Sequence, residues 1–109
     1  MDFEKESKKE RTLALVMHSA IESVADRLHS EAIILVDEPG LLRFQPYIIP
    51  EPGSQQRIGP TPEFITTYIS LLIQSLEEIN DTINWRESVI SSTSPEGIVT
   101  IQIDFTKLY

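Results

Sequence analysis

His18 and Glu22 stand four residues apart in a helical stretch, a spacing that puts both side chains on one helix face and could offer two ligands to one metal ion. No third ligand is evident nearby. His29, eleven residues beyond His18, is about three helical turns away and too far to share that ion. A solvated histidine and glutamate are therefore the expectation. Glu77, Glu78 and Asp81 cluster on a second helix, where they could act as an acid/base pair or a cation site only if something buried them. Asp37 and Glu38 lie beside a turn but lack the regularly spaced ligands of a calcium loop. The chain has no Gly-x-Ser-x-Gly elbow, no Gly-rich phosphate loop, and no cysteine for a thiolate nucleophile, a thiolate zinc site or a disulfide. The expectation is a non-enzymatic protein with no cofactor and no metal.

Charge narrows the partners. Nine Lys and Arg against 17 Asp and Glu give a net −8, and between Phe44 and Tyr109 the basic residues are Arg57, Arg86 and Lys107 alone. Binding to nucleic acid or to an anionic membrane surface needs a cationic face, so both are disfavoured. The mixed-charge N-terminus leads into no apolar run long enough for a signal peptide or a membrane span. With the absence of cysteine, this reads as a soluble protein of the reducing cytoplasm. At 109 residues the chain fits a single domain, of a size at which oligomerisation often adds stability.

The positioning elements follow from periodicity. Residues 1–7 read as a frayed lead-in. Leu13, Val16, Met17, Ala20, Val24 and Leu28 then form the stripe of an amphipathic helix whose polar face carries Arg11, His18, Glu22, Asp26 and His29. Ala32 to Val36 is wholly apolar, the pattern of a central strand covered on both faces. Pro39-Gly40 suits a type II turn, and Leu41 to Ile49 returns as a second strand in which Pro46, lacking an N–H, belongs at an edge or a bulge; the hairpin then has one protected and one exposed strand. Residues 50–62 hold four prolines and two glycines and form a long loop, either mobile or functional. Thr61 as N-cap, Pro62 and Glu63 open a long central helix. After it, Trp85 to Ser92 reads as a third strand and Ile98 to Phe105 as a fourth that alternates apolar and polar. The fold class is α+β, a two-layer sandwich of order α-β-β-α-β-β.

The central helix is apolar beyond what one packing surface requires. Ile65, Ile69, Leu72, Leu76, Ile79 and Ile83 form its stripe, Tyr68 and Ile73 widen it, and Phe64 and Leu71 extend the arc. The second surface it touches is either the first helix or another chain. Phe64, Tyr68 and Leu71, with the aromatic residues Tyr47 and Trp85, are therefore the candidate interface, and a protein partner or a homodimer is expected. A small-molecule ligand is disfavoured; the rival reading is a ligand-binding or enzymatic site between the 50–62 loop and the sheet, collecting Arg57, Tyr47 and Trp85. Arg43, beside Leu42 and Phe44, reads as a surface residue.

From Ala32 through Val36-Asp37-Glu38-Pro39-Gly40 to Leu41-Leu42 the chain resembles the first hairpin of the roadblock family, within the profilin-like and longin-like group. Element order agrees along most of the chain, while the family's usual fifth strand and closing helix have no counterpart here. The resemblance implies a dimer-forming scaffold that pairs through helix and edge-strand surfaces, often in assemblies controlling small GTPases or motors. The acidic chaperones that guard secretion substrates are a second analogy of architecture.

Overall fold

A computed structural model describes residues 3–38 and 40–104, with side chains from Leu15 onward. The faces expected for Arg11 and Leu13 rest on side chains outside the described ones, and the expectations for Pro39, Phe105 and, in the lead-in, Met1 and Asp2 lie outside the described residues. Helix α1 spans Phe3–Arg27, strands β1 and β2 span Ser30–Glu38 and Leu41–Ile48, helix α2 spans Pro62–Ile79, the single turn α3 spans Trp85–Ser88, and strands β3 and β4 span Val89–Thr93 and Val99–Asp104. The order is the expected α-β-β-α-β-β with one short helical turn added. The backbone is helical from Phe3, inside the lead-in read as frayed; this segment is rich in Glu and Lys, both good helix formers.

All four strands are antiparallel, in the order β1-β2-β4-β3. Leu42 and Phe44 from β2 and Val99, Ile101 and Ile103 from β4 turn inward. They meet Met17, Ala20, Ile21 and Val24 of α1 and Ile65, Tyr68, Leu72 and Leu76 of α2 in one core. One face of the sheet is covered by helices. On the other, directly opposed in register, the Arg43 guanidinium donates twice to Gln102 Oε1, at 3.2 and 2.7 Å.

The hairpin inverts the sequence expectation. β1, read as a central strand covered on both faces, is an edge strand that, among the described residues, pairs with β2 alone. β2, read as the edge, lies between β1 and β4. An apolar run is what burial on both faces produces, but here it lies at the sheet edge with Ile33, Ile34 and Leu35 exposed. Pro46 fits the interior because of where the β4 ladder stops. Ile48 exchanges two backbone bonds with Ile58, at 2.8 and 2.9 Å, so Ile48, Pro46 and Phe44, at alternate positions, turn their backbone away from β1. The β2–β4 register runs only to Phe44↔Ile101, which leaves Pro46 in a gap where no donor is required.

The same pair of bonds ties the 50–62 loop to the sheet. Arg57 adds to it: its guanidinium donates to the carbonyls of Ser54 and Gln56, at 2.7 and 3.0 Å, and pairs with Glu31 of β1. Gly53, at φ +78°, takes the left-handed conformation that glycine reaches most easily.

At the start of α2, Thr61 caps as expected, its side chain accepting from Phe64 N at 3.1 Å. The helix ends at Ile79 because Asn80 diverts the chain. The Asn80 side chain accepts from Thr82 N, and the main-chain carbonyl of Asn80 accepts from the buried Trp85 Nε1 at 2.9 Å. The third strand therefore starts at Val89, with Trp85–Ser88 forming α3.

Candidate functional site

Among the interface candidates, Tyr68 and Trp85 are fully buried in the domain's own core and present no surface to a partner. Tyr68 lies between Phe44 and Phe64, both ring centroids 6.0 Å away. Phe64 and Leu71 are half-buried against the same core, and Tyr47, also half-buried, donates its hydroxyl to Gln45 on the open sheet face at 3.1 Å. The five residues are thus not brought together. α1 supplies the second surface that the broad arc of α2 required.

Other large aliphatics, among them Leu15, Ile79 and Ile90, are exposed singly, and a consecutive exposed run lies on β1. Ile33, Ile34 and Leu35, three consecutive large aliphatics, are 44, 39 and 49% exposed. The register opposes Ala32 to Pro46 and Ile34 to Phe44, so Ala32 and Ile34 point to the helix side, while Ile33, opposite Gln45, points to the open face. A bulge between Ile34 and Val36 leaves Leu35 without a partner on β2. Since Ile48, Pro46 and Phe44 turn their backbone groups away from β1, their cross-strand neighbours Ser30, Ala32 and Ile34 turn theirs away from β2. Those groups face the open edge.

Beside this edge runs a groove of about 340 Å³ between α1 and β1. Ile21, Ala25, Ala32 and Ile34 give it an apolar floor, and Glu22, Asp26 and Glu31 stand along it. Glu22 and Asp26, four residues apart on α1, are exposed and have no ion-pair partner among the described residues. At its far end His18 Nε2 lies 3.0 Å from Asp37 Oδ2, joining α1 to β1. The His18–Glu22 spacing therefore leads to a contact with Asp37 instead, and no group of three or more metal-ligating side chains occurs among the described residues.

A second cavity, about 670 Å³, opens where the C-terminal end of α1 meets the first part of the 50–62 loop. Leu28, Ile48, Ile49, Pro50, Pro52 and Phe64 line it, with Asp26 and His29 among the polar groups. Arg57, Tyr47 and Trp85, the residues expected at a site near this loop, do not line it. Glu77 pairs with Arg86 at 3.2 Å on the exterior, and Glu78 and Asp81 are solvated.

Comparison with known protein families, curated proteins and solved structures yields no match to this chain. No helix among the described residues is long and apolar enough to cross a membrane.

Proposed function

We propose that this protein is a non-enzymatic, cytoplasmic protein-binding module that takes up a strand of its partner along β1. The observation that carries the reading is the exposure of Ile33, Ile34 and Leu35 on an edge whose backbone groups are free to extend the ladder. No Lys, Pro or inward charge interrupts residues 32–36, and of the devices that blunt edge strands this stretch carries the bulge between Ile34 and Val36. A strand added here gains affinity from main-chain hydrogen bonds and specificity from the side-chain positions beside them. The scaffold role implied by the roadblock-like hairpin agrees with such a site, and so does that of an assembly or secretion chaperone.

Purification from the native source, with wild-type protein and the Ile34→Lys and Leu35→Lys variants as parallel baits, tests this. A partner retained by wild type and lost from both variants, while their thermal melts stay unchanged, is the expected result. A partner held equally by all three proteins would overturn it. The 670 Å³ cavity favours a second reading, a site for a small apolar ligand beneath Pro50 and Pro52. Under that reading the partner experiment shows no dependence on β1.

A further inference from the structure

We infer that the strand taken up by β1 is a cationic segment of a different protein, with apolar residues alternating with Lys or Arg, and not a second copy of this chain. The inference rests on the β1 reading above and adds the partner's chemistry. An incoming strand lies against β1 and beside the α1 groove, and at period two its residues alternate between the groove side and the open face of the sheet. On the groove side they meet Ile21, Ala25 and Ile34. Along the same path stand Glu22 and Asp26, without counter-ions among the described residues, and exposed Glu38 at the strand's end. Glu31 and Asp37 are also on this strand, each with its own partner in Arg57 and His18. Among the described side chains, no Lys or Arg lines the groove.

The charges also argue against self-pairing. Two copies joined β1 to β1 would bring Glu22, Asp26 and Glu31 of one protomer to the edge that carries the same three carboxylates on the other. Like charges placed across a strand pair destabilise it, and an interface of one sign repels its own copy at long range. A segment bearing Lys or Arg at alternate positions reverses both effects. The apolar run then supplies the contact area and the carboxylates select the partner.

Three acetylated decapeptides probe this, measured by fluorescence anisotropy on the full chain: alternating Val and Lys, alternating Val and Glu, and a block peptide with five Lys followed by five Val. The alternating Val and Lys peptide should bind at least about tenfold more tightly than the other two at roughly 0.15 M salt, where long-range attraction to the net charge is largely screened. Glu22→Gln with Asp26→Asn should weaken it several-fold and leave the melting temperature unchanged. Ile34→Lys should abolish binding. Equal affinity for the Lys and Glu alternating peptides, or indifference to neutralising Glu22 and Asp26, would overturn the cationic partner while leaving the β1 reading intact. The same affinity for the block peptide would show attraction to net charge alone and would overturn it too. A concentration-dependent dimer that Ile34→Lys dissolves would make a second copy the occupant. Binding that survives Ile34→Lys would remove β1 as the site altogether.

Discussion

Leu72, fully buried at the centre of α2, is the test residue for the core, and Leu72→Ala should cost about 2 to 5 kcal/mol in denaturant melts. Ile69 and Leu71 are both only partly buried, so each should cost less than Leu72 when cut to Ala. For Ile69 this departs from the sequence, whose periodicity put Ile69 at the stripe's centre and Tyr68 at its side; the packed line is Ile65, Tyr68, Leu72, Leu76. Periodicity locates an arc of about 100°, and which residue sits at its middle is decided by where α1 and the sheet lie. Tyr68 carries a further consequence. Its buried hydroxyl has no hydrogen-bond partner among the described residues, so Tyr68→Phe should be neutral or stabilising by about 1 kcal/mol. Burial also pushes its phenol well above the usual tyrosine range. The folded state therefore holds the proton more tightly than the unfolded chain, and the stability this confers is intact below about pH 10 and declines as pH rises beyond it. Urea melts at pH 9 and pH 11 should show a larger alkaline loss for wild type than for Tyr68→Phe. An identical loss in both would contradict the assignment.

At the scale of elements, the caps, the turn glycine and the β4 alternation were legible because each has a local cause. Thr61 and Pro62 open α2 as read, and Gly40 takes a positive φ of +86°, the conformation a type II turn asks of its second central residue. What was not legible is order in the sheet. Nothing local in Ala32–Val36 or around Pro46 states which strand has two neighbours; the stop of the β4 ladder at Phe44 and the Ile48–Ile58 bridge decide it. The candidate site went unread for the same reason, since an exposed apolar edge and a buried central strand share one composition. Trp85–Ser88 escaped because its helical turn is set by the Asn80 carbonyl accepting from Trp85, a contact with no sequence signature. The 50–62 loop gives a prediction at this scale. Arg57→Ala removes the Glu31 pair and two carbonyl contacts, and should speed amide exchange at Ile48 and Ile58. Its effect on global stability should stay within about 1 kcal/mol, because the ion pair is partly exposed. Unchanged exchange at both amides would show that the backbone bridge alone holds the loop.

For the whole molecule, the net charge of −8 predicts no mobility shift with duplex or single-stranded nucleic acid at about 0.15 M salt. A shift at that salt would contradict this. The central claim, that β1 is the docking strand, is tested most directly by hydrogen–deuterium exchange. The backbone alternation turns the amides of Ala32 and Ile34 toward the open edge, so in the free protein they should exchange quickly while their neighbours Glu31 and Ile33, turned toward β2, are protected. In the complex recovered from the native source, Ala32 and Ile34 should become protected. Protection that appears instead on α2 or around Pro50 and Pro52, with Ala32 and Ile34 still exchanging as in the free protein, would contradict the account.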